Sequence, residues 1–137
     1  MVSREDDQLL DAARDAQGFA YAPYSKYPVG AAVRTESGEV FTGCNVESAS
    51  FSLTCCAERV AVFKAVSAGH KKIVACAIVT DETVPAAPCG ACRQVLHEFG
   101  RDMTILLSDG ADTCRVMTLS DLLPEGFNPD QVLSRQR

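Results

Sequence analysis

Ile73-Val74-Ala75-Cys76-Ala77-Ile78-Val79 is an unbroken apolar run, and its reading decides the fold class. A strand with one wet face alternates apolar with polar residues; a run without alternation belongs to a strand covered on both faces, as at the centre of an α/β sheet. Upstream, Val29 to Thr35 and Val40 to Val46 are β-rich and joined by Glu36-Ser37-Gly38-Glu39, a hairpin pattern. Between this hairpin and the apolar run, Thr54 is placed to cap a helix through Val60, Ala61, Lys64 and Ala65 that stops at Gly69. The strand–helix–strand unit from Val40 to Val79 is then a right-handed crossover whose two strands point the same way.

Further outward, Pro88 opens a helix that Gly100 closes, and Met103 to Ser108 and Arg115 to Thr118 flank a turn at Asp109-Gly110. Thr118-x-x-Asp121 starts a last short helix ending before Pro124. At the other end, Ser3-x-x-Asp6 caps an amphipathic helix with Leu9, Ala12, Ala13, Ala16 and Ala20 at helical spacing. The order α-β-β-α-β-α-β-β-α predicts an α/β fold: a three-layer α-β-α sandwich around one mixed five-stranded sheet, in a single domain spanning 1–137. Its consequence is chemical. The helices beginning near Cys56 and Cys89 both start at carboxyl ends of parallel strands, so their N-termini face one crevice.

The composition narrows what that crevice holds. At 137 residues with 18 acidic and 13 basic side chains, the chain carries a net charge of −5 with no basic stripe, which argues against a nucleic-acid partner and for a small ligand. It offers no apolar run long enough for a bilayer and no leader-like start, so no membrane association and a cytoplasmic location are expected. Seven cysteines make an odd set without an export signal, which favours metal binding or thiol chemistry over a disulfide framework.

Cys89-Gly90-Ala91-Cys92 sets two thiols on one face of a helical turn, and Cys56 lies at the start of the other helix. Helix N-termini stabilise the thiolates that zinc requires. Three ligands leave a fourth position open, the arrangement of a catalytic site. Cys55 is an alternative ligand; Cys56 is preferred because Glu58 follows two residues later, where a carboxylate can reach water at the metal without ligating it. Arg59 would offset the excess negative charge of three thiolates. Cys44, Cys76 and Cys114 read as buried small residues.

Cys56-Ala57-Glu58-Arg59 together with Pro88-Cys89-Gly90-Ala91-Cys92-Arg93-Gln94 closely resembles the signature of the small, homotetrameric, zinc-dependent cytidine deaminases. Tyr24 to Ala32, Gly43 to Glu47, Phe63 to Ser67, Glu98-Phe99 and Leu122 to Phe127 extend the resemblance over almost the whole chain. It implies hydrolytic deamination of cytidine and 2′-deoxycytidine in pyrimidine salvage, with one Zn²⁺ per subunit on Cys56, Cys89 and Cys92 and with Glu58 carrying the protons. It further implies that Asn45 and Glu47 bind the ribose 3′-hydroxyl, that the Ala57 amide meets the base carbonyl, and that Tyr27 lines the base pocket. Phe51 and Phe127 are expected from neighbouring subunits of a homotetramer. Ser48, Phe51, Tyr27 and Ala87 depart from the commonest family pattern and bear on substrate preference. A deaminase of a modified cytosine nucleoside, such as an antibiotic, is the nearest alternative. Outside the class stand a thiol–disulfide oxidoreductase using Cys89 and Cys92 and a closed four-cysteine zinc module that adds Cys55.

Overall fold

A computed structural model describes residues 3–81, 86–109 and 113–134. Five strands form one mixed sheet in the order β2-β1-β3-β4-β5, from β1 (Gly30–Thr35), β2 (Val40–Cys44), β3 (Ile73–Val79), β4 (Thr104–Ser108) and β5 (Cys114–Thr118). The hairpin is as read: β1 and β2 pair antiparallel, Arg34 opposite Val40. β3 lies on the other side of β1, again antiparallel, so β2 and β3 point the same way with β1 between them. β4 runs parallel to β3, and β5 closes the edge antiparallel.

The apolar run has the predicted reason. Cys76 and Ile78 of β3, with Ala31 and Val33 of β1 and Ile105 and Leu107 of β4, face one layer of the core. Ala75, Ala77 and Val79, with Ala32 and Leu106, face the other. Helix α1 (Arg4–Gln17) covers the second face through Leu9, Leu10 and Ala13. The first is covered by α2 (Ala57–Ser67), α3 (Gly90–Phe99) and α4 (Leu119–Leu122), through Ala61, Val62, Ala65, Leu96 and Leu119. Each fully buried Leu or Ile contributes about 1.5–3 kcal/mol. A fifth helix, α5 (Pro129–Leu133), follows with an Asn128–Gln131 capping box.

Several boundaries differ from the sequence reading. The Ser3 hydroxyl caps α1 as expected, accepting from the Asp6 amide at 3.1 Å. Thr54, however, does not cap α2: Val46 and Cys55 exchange backbone hydrogen bonds of 3.0 and 2.9 Å, which hold the chain extended until Cys56, the actual N-cap. The Thr54 hydroxyl instead accepts from the Ser48 amide at 3.1 Å. Likewise α3 opens at Gly90 behind its N-cap Cys89, two residues later than the Pro88 start read from the sequence. Of the Asp109-Gly110 turn, positions 110–112 lie outside the described residues.

Close approach of α2 to the sheet requires glycine. A Cβ on Gly43 of β2 would stand 2.5 Å from both the Ala57 carbonyl oxygen and the Ala61 amide nitrogen. Gly43→Ala should therefore push α2 off the sheet and destabilise the protein by about 1–3 kcal/mol in urea denaturation. Gly18→Ala, at helical dihedrals (φ −64°, ψ −16°) and with a nearest new contact of 3.4 Å, should be neutral or stabilising by about 0.4–1 kcal/mol.

Candidate metal centre and active site

Because β2 and β3 point the same way, α2 and α3 begin at the same end of the sheet, and Cys56 and Cys89 are their N-cap residues. Cys92 sits one turn into α3. The three Sγ atoms all lie within 4.8 Å of one another, with Cys56 and Cys89 separated by 4.0 Å. Tetrahedral zinc with arms of about 2.3 Å sets its sulfur ligands about 3.8 Å apart, so the three thiols match a zinc site with little adjustment. Their exposure is graded: Cys92 is buried, Cys56 half-buried and Cys89 exposed, which leaves the cluster approachable from the Cys89 side. Cys55 is outside this group, and the backbone pairing that holds it opposite Val46 accounts for its exclusion.

The electrostatics favour a thiolate centre. A hydrogen bond from Cys92 pulls the Cys56 thiol down to about 5 against the opposing effect of burial, with Arg59 assisting. The Cys92 thiol is raised by the same hydrogen bond and by burial. Arg59 donates from Nη2 to Cys56 Sγ at 3.5 Å, and this contact holds its guanidinium charged. Its Nε is buried without a protein partner, a desolvation cost that the neighbouring negative sulfur offsets. Burial pushes Cys55 up, the state of an inert thiol.

Glu58 is in the first turn of α2 and only 5% exposed. Burial first, and then the Cys56 thiolate, raise its carboxyl above the ordinary carboxylate value. A carboxyl raised in this way accepts a proton more readily than an exposed one, which suits a group that takes up protons and passes them on. Ala57, fully buried, is the first residue of the same helix, so its amide has no carbonyl partner within α2.

The segments leading into the two helices carry the remaining candidates. Asn45 is buried and spans the 27–29 segment, its Nδ2 donating to the Tyr27 carbonyl at 2.8 Å and its Oδ1 accepting from the Val29 amide at 2.9 Å. One N–H and one lone pair of its amide are uncommitted by these two bonds. Glu47 Oε1 accepts from the Tyr24 and Ser25 amides at 3.0 and 3.1 Å, and its Oε2 accepts from the Ser25 hydroxyl. These donors hold Glu47 below the ordinary carboxylate value, the Ser25 hydroxyl contributing most. Glu47, Phe51, Tyr24, Ser25 and Thr54 line a cleft of ≈ 370 Å³, across which the Tyr24 and Phe51 rings meet edge to face at 5.7 Å. Tyr27 is half-buried beside it in sequence, its amide on Ser25 Oγ. Phe127 lines no part of this cleft; its backbone is docked against α3 and the residue is 57% exposed.

Comparison with known proteins assigns the chain to a family. The family described as the cytidine and deoxycytidylate deaminase zinc-binding region matches residues 3–108. The chain belongs to this family. Among its relatives, the cytidine deaminase of Sporosarcina psychrophila is 42% identical over 127 residues, covering 92% of this chain and 93% of that one. The cytidine deaminase of Mycobacterium tuberculosis is 44% identical over 131 residues, with 96% and 95% covered. A crystal structure of cytidine deaminase from Burkholderia pseudomallei superposes with a TM-score of 0.86 at 45% identity, covering 92% of this chain and all of that one (100%).

Zinc is this deaminase family's metal, and the cluster of Cys56, Cys89 and Cys92 has the donor chemistry to hold it. The structure also adds residues to which the sequence reading gave no role. Arg93 donates from Nε to the Pro88 carbonyl at 2.8 Å and from Nη1 to the Leu122 carbonyl at 2.9 Å, bracing the turn before Cys89. A cation in the first turn of a helix opposes the dipole, and that misplacement was a usable signal. Ser25 and Gln94 lie within stretches that resemble the family, but their bonding left no local signal because their partners are 22 and 33 residues away.

Removing one thiol at a time tests the ligand set. Cys56→Ala should lose most of its bound zinc by elemental analysis, whereas Cys55→Ala should keep about one equivalent per chain.

Proposed function

We propose that this protein, as a single domain of residues 1–137, hydrolyses cytidine and 2′-deoxycytidine to uridine and 2′-deoxyuridine with release of ammonia. The observation that carries the reading is the convergence of three thiols within 4.8 Å at two helix N-termini, with the buried Glu58 two residues beyond one of them. A zinc ion held by Cys56, Cys89 and Cys92 supplies Lewis acidity that makes water a nucleophile near neutral pH. Everything else falls to the chain's own side chains.

Glu58 takes a proton from the attacking water and passes it to ring N3, which makes C4 electrophilic. It takes the second proton as the tetrahedral carbon forms and delivers it to the exocyclic amine, so that the C4–N bond breaks and ammonia leaves. Both transfers suit a carboxyl raised by burial. The Ala57 amide, which has no carbonyl partner within α2, donates to the base carbonyl, and Tyr27 lines the base pocket. Asn45 and Glu47 receive the ribose 3′-hydroxyl, Asn45 with its uncommitted N–H and lone pair, Glu47 with a carboxylate that Ser25 keeps ionised. Arg59 keeps the three thiolates from accumulating uncompensated charge.

The exposed aromatics support a homotetramer in which neighbouring subunits complete the site. Phe51 is 73% and Phe127 57% exposed, an unfavourable state for large apolar rings that a neighbouring chain would relieve. No helix among the described residues is long and apolar enough to cross a membrane.

Glu58→Gln, nearly isosteric but unable to relay protons as a carboxyl does, should retain fold and zinc while losing roughly 10²–10⁴-fold in kcat for cytidine. The assay is the ultraviolet conversion of cytidine to uridine. Turnover at the wild-type rate would remove Glu58 from the mechanism.

A further inference from the structure

Helix α3 does more than carry two cysteines. Two residues beyond Cys92, on another side of the helix, the Gln94 amide spends both ends on a single residue 33 positions away: Nε2 donates to the Phe127 carbonyl at 2.9 Å, and Oε1 accepts from the Phe127 amide at 3.1 Å. Three residues on, His97 is only 6% exposed and its Nε2 donates to Asn128 Oδ1 at 2.6 Å. Gly126 lies flat on the same imidazole, where a Cβ would stand 2.8 Å from Cε1 and Nδ1. Three consecutive residues, 126–128, are therefore pinned to one face of α3, whose positions 94 and 97 are neighbours on the helix surface.

This anchoring does not build core. Phe127 remains 57% exposed although its backbone N–H and C=O are both held by the Gln94 side chain. A pair of hydrogen bonds closing on both the N–H and the C=O of one residue fixes the direction of its Cα–Cβ bond. The ring is thereby presented outward with little backbone freedom left, and a contact made by a preordered ring avoids the ordering cost of a mobile one.

We infer that Gln94, with His97 behind it, is a positioning residue that presents the Phe127 ring to the nucleoside bound in a neighbouring subunit. This rests on the reading of Phe127 as a substrate contact, and it adds that α3 couples metal and aromatic within one rigid element. The role is in binding. Gln94 holds no metal and moves no proton, so its loss should raise KM and leave kcat alone.

The test is steady-state kinetics on the zinc-loaded enzyme with cytidine, for Gln94→Met, Gln94→Glu, Phe127→Ala and the double variant Gln94→Met/Phe127→Ala. Gln94→Met preserves length without hydrogen bonds and should raise KM about three- to tenfold, the worth of one aromatic contact, with kcat and zinc content near wild type. Gln94→Glu keeps the bond to the Phe127 amide but faces its carbonyl with a carboxylate, and should fall between wild type and Gln94→Met. Phe127→Ala should raise KM at least as much, and the double variant should be no worse than Phe127→Ala alone. A raised KM in Phe127→Ala with wild-type KM in both Gln94 variants would overturn the positioning role and leave the Phe127 contact standing. Wild-type KM in Phe127→Ala would overturn the contact itself and this inference with it. Loss of zinc and kcat in the Gln94 variants, with KM unmoved, would show that Gln94 merely supports α3.

Discussion

Holding three thiols within 4.8 Å of one another is the constraint on which the rest of the molecule depends. Thiolates at this spacing repel, and each is costly to remove from water. The fold offsets that cost by geometry: two parallel-pointing strands deliver two helix N-termini to one end of the sheet, so that the positive ends of α2 and α3 face the sulfurs. Arg59 adds a full charge at 3.5 Å from Cys56. The central apolar strand, the hairpin that separates β2 from β3, and the glycine contact beneath α2 all serve to set these two termini side by side.

The nucleoside side of the site is held by a different kind of bond. Asn45, Glu47 and Ser25 tie the 24–29 segment to the end of β2, and the Val46–Cys55 bridge ties that end to the start of α2. The groups proposed to meet the sugar are therefore two short links from a metal ligand. Preorganisation of this kind matters for catalysis because small displacements between a bound base and its proton carrier cost large factors in rate.

Much of this was legible in the sequence, for physical reasons that differ between elements. The 73–79 run showed a strand covered on both faces because burial on two sides removes all need for polar residues. Cys89-x-x-Cys92 and Cys56-x-Glu58 were legible because metal ligation and proton transfer demand particular residue types at short spacing. Other features had no local signature. Thr54 reads as a helix cap in isolation, and only the pairing of Cys55 with Val46 delays the helix to Cys56. The short α5, the bonds from Gln94 to the Phe127 backbone and those from Ser25 to the Glu47 carboxylate depend on chain segments meeting in three dimensions, which no periodicity records.

Whether this sulfur cluster is the site of a metal-dependent nucleoside deamination is most directly tested by stripping the protein of metal and titrating Zn²⁺ back while following conversion of cytidine to uridine. The stripped protein should show no turnover, and the rate should rise linearly and break at one zinc per chain. Full activity without metal, or a zinc-replete folded protein that leaves cytidine unchanged, would contradict this role for the cluster.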